Sequence, residues 1–491
     1  MFNLLLTNLE LRALVNSLVI SLGVSFFSLM ISLFLVISLS FYRLPGRRLF
    51  SFLFLIPLLI PPYLHAFSWM HLIMFLRDYN LLGSFSNFAI DLLSSIPGII
   101  AVLTLAYFPI SFFIIQQAVR NIPQQLIDAA IQAAKPAKVI KHVVITAILP
   151  AALTAALLTF IFTFITFDVP AFLGKNVFIT QIFKSFTFTG EIPQALYLSI
   201  IPVFIVGSFF LILLFLVGEK PLFSLSSPQK NTPLAIRQPL PLTVLMFSLV
   251  AFIFLLSSLL PLGVLQIKNL LYEKIPFSST SSLGVIINTL SISLVSSVCI
   301  VLFSTFVYII FYKKRIGRLF FLSLLALPPI TYGILFIYLF NRPLFNSIYS
   351  TPLLLIIAYS LRFAPLVCEL FYTHRQQINP QYFESARLLY DQSWRKPRQA
   401  WRMLRTIVLP LYLPVIFLAW MFSFWLVATE LPLTLLIQPP GFQTIITRLF
   451  IVLHYGAEEL MSAMTLALLF ISLFPILAVY FFFRIDQKND Q

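Results

Sequence analysis

Charge is scarce in this sequence. Only 10% of the residues are Asp, Glu, Lys or Arg, while 60% are hydrophobic. A soluble domain cannot hide that much apolar surface, so a water-soluble globular protein is excluded and lipid becomes the main solvent. Cysteine is nearly missing. Cys299 and Cys368 both fall in apolar stretches, and no disulfide framework is expected. A phosphate-binding loop is lacking as well, because Gly174-Lys175 has neither the earlier glycine nor the following hydroxyl. If ATP drives the protein, another subunit hydrolyses it, and no cofactor is expected in this chain. His65, His71, His142, His374 and His454 show no metal-ligand spacing with Cys or carboxylates, and His142 and His374 are expected to be solvated. No nucleophile–base arrangement is visible, so neither a catalytic nor a metal site is expected. The N-terminus lacks the basic flank of a signal peptide, and the apolar run Ala13–Phe41 is too long for its core. That run is expected to remain as a first span.

What the sequence does contain is a succession of apolar runs of roughly 20 residues, the length a membrane helix requires. Barrel strands would be about half as long and would alternate in polarity. The expected fold is an all-α polytopic membrane bundle. In the first half the runs are Ala13–Phe41, Phe50–Leu76, Gly98–Ala118, Val143–Phe167 and Ala195–Val217. Pro57 and Pro61-Pro62 interrupt the second of them. Arg77–Ile96 and Asp168–Gln194 are polar enough to be expected as outer loops. Gly218–Pro241 breaks the pattern with Pro, Ser and charge, and predicts a cytoplasmic linker over 219–241. This divides the chain into a first unit over 1–218 and a second over 242–491. Leu242–Leu265 is an additional span without a counterpart. Further runs begin near Asn288 and lie at Leu319–Phe340, Pro352–Tyr372, Leu411–Thr429 and Leu460–Phe483, for about 11 spans in all.

The net charge of +16 would suggest nucleic acid in a soluble protein. Here Lys and Arg gather in short segments at Arg43–Arg48, Arg120–Lys141, Lys220–Arg237, Lys313–Arg318, Arg375–Arg405 and Arg484–Lys488. All six fall on one side if the N-terminus is outside and the C-terminus inside, as the positive-inside rule asks. The charge is therefore topological, and no nucleic acid partner is expected.

The two units repeat one another in order. Asn288-Thr-Leu-Ser-Ile-Ser-Leu answers Asn16-Ser-Leu-Val-Ile-Ser-Leu, Arg318-Leu-Phe320 answers Arg48-Leu-Phe50, and Pro328-Pro329 answers Pro61-Pro62. The basic segments over 120–142 and 373–408 match as well. The first carries Asp128-Ala129-Ala130 and ends toward Leu149-Pro150. The second carries Glu384-Ser385-Ala386 and ends toward Leu409-Pro410. Asn379-Pro380 is a helix-start signal, and Glu384 close behind it suits the positive end of a helix dipole.

An acid followed by two small residues and, further on, Leu-Pro resembles the loop signature of permease subunits of binding-protein-dependent ABC importers. Nearly the whole chain is similar to two fused units of that kind. The second unit resembles the ferric-iron type, most clearly in Glu430-Leu-Pro-Leu-Thr-Leu-Leu-Ile-Gln-Pro-Pro-Gly-Phe442-Gln-Thr, and the fused thiamine permeases share its layout. Two features depart from the pattern. Ala134 and Tyr390 stand where the loop glycine belongs, and both stretches from the acid to Leu-Pro are longer. The resemblance implies that each loop docks on a cytoplasmic ABC ATPase, with ATP and magnesium held there. It also implies a periplasmic substrate-binding protein and an inner-membrane location.

Charges within the membrane are functional candidates by default. Arg362 and Glu369 are seven residues apart, so they share a helix face about two turns apart. They either line a pathway or satisfy each other or a neighbouring helix. Asp168 and Glu430 each end the span after a basic loop, two residues before a Pro. They are either a carboxylate pair for a cation at the pore mouth or solvated helix-end acids. An ion-coupled secondary transporter is the competing class, but its repeats are often inverted and its long basic loops would go unexplained.

Overall fold

The computed structural model describes residues 6–217, 239–271, 280–312, 315–379, 401–455 and 464–475, apart from 82, 84 and 191, together with 381, 382, 384 and 478. Most of the linker 219–241, the greater part of the second basic loop and the C-terminal basic segment lie outside the described residues. The described chain is helical, with no β-strand. The helices used below are α1 (Asn8–Phe41), α2 (Pro62–Asp78), α3 (Ile96–Arg120), α4 (Gln124–Ala133), α5 (Ile145–Phe164), α6 (Asp168–Phe172), α7 (Phe178–Thr189), α8 (Ile192–Val217), α9 (Leu240–Phe254), α10 (Thr280–Val307), α11 (Pro329–Phe340), α12 (Pro352–Gln377), α13 (Leu409–Ala428), α14 (Pro432–Ile437) and α15 (Ile445–Tyr455).

Eight helical stretches are long and apolar enough to cross a membrane, and a bent pair brings the number to nine. This is a multi-pass membrane protein. Two of the eleven expected spans are shorter among the described residues. Leu319–Phe340 is broken before α11, and only Met464–Pro475 is described of Leu460–Phe483.

The packing is inverted relative to a soluble protein. Along α1, Ser17, Ser21, Ser25, Ser28 and Ser32 are buried, while Val15, Val19, Leu22 and Phe26 are exposed. Lipid is as apolar as leucine, so helices gain little from hiding large side chains and associate instead through small residues that allow close approach. The serine face lies against α3 and α5. Ser25 donates to the Ala156 carbonyl at 2.7 Å, and Ser32 to the Phe108 carbonyl at 2.9 Å. Helix α10 follows the same plan. Thr289, Ser293, Ser296, Ser297 and Ser304 are buried, with Val295, Val298, Leu302 and Phe306 outward. Its neighbours are α12 and α13.

Prolines set the breaks. Pro61 caps α2 at φ −51°, ψ 138°, and Pro328 caps α11 at φ −59°, ψ 148°. The ring fixes φ and removes a donor, so the chain leaves the helical region and restarts on the second proline. At Pro61 the result is a 92° bend between Arg47–Leu59 and α2. The span beginning with α9 packs against the early helices, where Phe247 and Phe254 meet Phe50 edge-on at 5.7 and 6.1 Å.

The outer loop expected over Asp168–Gln194 is not an irregular connection. The segment folds into α6 and α7, and Phe178, Ile179 and Ile182 are fully buried. Apolar residues at this helical spacing sink back into the bundle. Arg77–Ile96 likewise contains a helix, Phe85–Leu93.

Candidate functional site

The two ends of the bundle place the expected residues differently. Asp128 is exposed on α4, where Gln124 Nε2 donates to its Oδ1 at 2.9 Å. Ala129 is exposed, Ala130 half-buried, and Ile127 buried, so α4 lies with one apolar side down on the bundle. Leu149 and Pro150 are exposed on the second turn of α5, and Leu409 and Pro410 are exposed where α13 opens. A five-residue π-helical turn precedes each of these helices, Ile140–Val144 and Leu404–Val408. Such widened turns occur where the backbone ladder is disturbed, here just ahead of prolines that cannot donate. Glu384 is exposed, whereas Ser385 and Ala386 lie outside the described residues. His142 is exposed as expected. His374 is half-buried rather than freely solvated, its Nε2 meeting the Leu411 carbonyl at 2.8 Å and its ring abutting Tyr412.

The membrane charges do not pair with each other along α12. Glu369 is fully buried and binds Arg318 from the preceding basic segment. Arg318 Nη2 donates to Glu369 Oε1 at 2.6 Å and Nε to Oε2 at 3.1 Å, and the guanidinium stacks 4.0 Å above Tyr372. A fork on both carboxylate oxygens is the strong geometry for such a pair. Arg362 turns elsewhere, its Nη2 lying 3.5 Å from Glu430 Oε2. Its carbon Cζ stands 5.3 Å from the Phe363 ring centre and 6.0 Å from that of Tyr332.

Glu430 is therefore an interior residue rather than a solvated helix end, with 8% of its surface exposed. It shapes its own surroundings. Leu433 N donates to Oε1 at 3.2 Å, which caps α14, and Thr434 Oγ1 donates to the Glu430 carbonyl at 2.6 Å. Tyr359 on α12 shares a 2.6 Å hydrogen bond with Thr434. Asp168 takes the corresponding place as the first residue of α6. Its carboxylate lies near the backbone amides of Val169 and Tyr63 and within electrostatic reach of Glu430. Asp168, Tyr107 and Arg362 are each half-buried.

Residues from the early and the late part of the chain build this centre together. Tyr63 at the start of α2 packs in one cluster with Phe424, Ala428 and Leu431 around the end of α13. Reciprocally, Ile330 and Ile334 of α11 pack with Phe167 and Phe178. Tyr63 and Tyr107 were not singled out in the sequence, where a tyrosine in an apolar run reads as ordinary packing. Glycine 333 permits the close approach of α11 to α14, since a Cβ there would stand 2.6 Å from Leu436 Cδ1. Gly333→Val is expected to push α14 away and lower the thermal midpoint of the purified chain by several degrees, an overpacking cost of about 1–3 kcal/mol. An unchanged midpoint would show that Leu436 gives way freely.

Several contacts recur in the same order along the chain. Asn16 Nδ2 donates to the Asn176 carbonyl at 3.0 Å, and Asn288 Nδ2 to that of Gln443 at 3.3 Å. Next along the chain, Ser17 Oγ accepts from Phe178 N at 2.8 Å, and Thr289 Oγ1 from Ile445 N at 2.8 Å. Three residues into α7 and α15, Thr180 and Thr447 accept from Val177 N and Thr444 N. Among the described residues, no group of three or more His, Cys, Asp or Glu side chains could hold a metal ion. No protein-family model matches the chain, and no curated protein matches it.

Proposed function

We propose that this chain is the transmembrane subunit of an ATP-driven importer of the binding-protein-dependent kind, built from two tandem permease units in one polypeptide. The observation that carries the reading is the doubled set of contacts. Asn16 and Ser17 hold the start of α7 just as Asn288 and Thr289 hold the start of α15, and a proline pair caps both α2 and α11. A duplicated unit with the same order of helices supports two equivalent docking positions, one after α3 and one after α12. In this reading α4 and the segment containing Glu384 face the cytoplasm, the N-terminus is outside, and two copies of an ATPase carry ATP and magnesium. A periplasmic binding protein in the space outside a bacterial inner membrane delivers the cargo. Closure of the ATPase pair drives the two docking segments together and opens the bundle outward, and hydrolysis resets it.

Ferric iron is the cargo we favour. Two carboxylates and tyrosine hydroxyls at the centre are the hard oxygen donors that such an ion prefers. A thiamine permease is the closest alternative of the same class.

The test is co-purification of the intact chain with its cellular partners, beside the double variant Asp128→Arg, Glu384→Arg. An ATPase is expected with the parent chain and at least about tenfold less with the variant, since reversed charge at a docked surface costs more than 1.4 kcal/mol. Absence of any ATPase, with uptake following a proton or sodium gradient, would overturn the proposal in favour of a secondary transporter.

A further inference from the structure

Two arginine–carboxylate pairs share α12, and they differ in quality. Arg318 grips Glu369 with two short bonds. Arg362 touches Glu430 through one nitrogen at 3.5 Å, and its Nε is buried without a hydrogen-bond partner. A guanidinium that uses so little of its donor fork is a weakly held counter-ion. Beside it the charges do not cancel. Asp168 lies within electrostatic reach of Glu430, yet the guanidinium of Arg362 contacts Glu430 alone, and among the described residues no salt bridge reaches Asp168. The Tyr63 hydroxyl, in a side chain with no exposed surface, also lacks a partner and lies within electrostatic reach of Asp168. A buried hydroxyl left unpaired is costly unless something else uses it.

Resting on the importer reading above, we propose that Asp168, Glu430 and the Tyr63 hydroxyl form a transit site for a hard multivalent cation, and that Arg362 occupies it as a tethered substitute. An arriving ion takes the carboxylates, and the guanidinium withdraws onto the faces of Phe363 and Tyr332, which already lie beneath it. Ligand identity sets the class. Carboxylate and phenol oxygens suit hard ions, whereas sulfur and imidazole are missing. His65, the histidine nearest in sequence, spends its Nε2 on the Pro57 carbonyl, and Cys368 turns its thiol toward the Ser304 carbonyl. Two carboxylates are too few for a resident metal, which suits cargo that must leave again.

The experiment uses the purified full-length chain in lipid nanodiscs with terbium(III) alone as the probe, a hard trivalent ion whose luminescence a nearby aromatic ring sensitises. Saturable sensitised emission is expected. Tyr63→Phe and Asp168→Asn should each weaken it by about tenfold, or about 1.4 kcal/mol, while Arg362→Gln should tighten it by a similar factor because the competing cation is gone. Tyr63→Phe removes only a hydroxyl that has no partner, so its folding is secure and it serves as the control for loss by misfolding. No saturable emission, or emission indifferent to Tyr63→Phe and Asp168→Asn, overturns the site. Loss of affinity in Arg362→Gln on a folded chain overturns the substitute role. Displacement of terbium by an organic ammonium ion at lower concentration overturns the hard-metal class. Association with an ATPase is read on the parent chain, so failure here leaves that result unaffected.

Discussion

Glu369→Leu is expected to destabilise the purified chain by about 3–5 kcal/mol, the largest effect of any single side chain described above. The reason is asymmetric. The pair itself contributes little net stability, because both charges must be stripped of water before they attract one another. Removing one partner recovers none of the desolvation cost of the other. Arg318 is 6% exposed, and its two carboxylate bonds would vanish together. The Tyr372 face would remain, at a cation–π value well short of the loss. The double variant Arg318→Leu, Glu369→Leu is expected to be far milder than either single change, since an apolar pair of similar volume is often neutral. Thermal unfolding of the four proteins closes the cycle. Equal loss in the single and double variants would show that the pair is not what makes Glu369 costly to replace.

Gly98→Ala is expected to cost roughly 3 kcal/mol, at the upper end of overpacking effects. The chain turns from Phe85–Leu93 into α3 within two residues, so Gly98 backs onto the last carbonyls of the preceding helix. A Cβ at this position would run into the oxygens of both Leu92 and Leu93. Backbone cannot rotate aside as a side chain can, so one helix must shift. Ser95 caps α3 by accepting from Gly98 N, and the same displacement weakens that cap. The expected result is a reduced yield of folded protein and a lower thermal midpoint. Gly207 serves as the comparison, because its position is open and Gly207→Ala should be nearly silent. If Gly98→Ala matches it, the tight turn carries no strain.

Much of the architecture was legible because lipid imposes a length rule that a single sequence can satisfy or fail. The long runs around α1, α3, α5, α9, α10, α12 and α13 all became helices of the expected kind. The proline pairs also marked real breaks, since the missing donor acts locally. Partnerships were less legible. The seven-residue spacing of Arg362 and Glu369 correctly put both on α12, but their partners come from Glu430 and Arg318, and helix-to-helix neighbours leave no trace in spacing. The segment 168–194 looked like a loop because Asp, Lys, Asn and Gln dilute it. Its apolar positions at 178, 179 and 182 are few, yet they suffice to bury α7. Tyr63 carried no signal at all, because its importance comes from what Asp168 and the far end of α13 place beside it.

The uneven pairing of the central charges gives the protein an electrical character. Arg318 with Glu369, and Arg362 with Glu430, are each neutral as a pair, and a transmembrane potential does no work on them when they move together. Asp168 has no cation partner among the described residues, so the unloaded centre carries one negative charge. A trivalent ion in its place would make that centre doubly positive. The potential contributes about 2.3 kcal/mol per elementary charge per 100 mV. On the importer reading proposed above, an inside-negative membrane would thus pull the loaded centre inward and resist the inward movement of the unloaded one, so that voltage would add direction to the cycle.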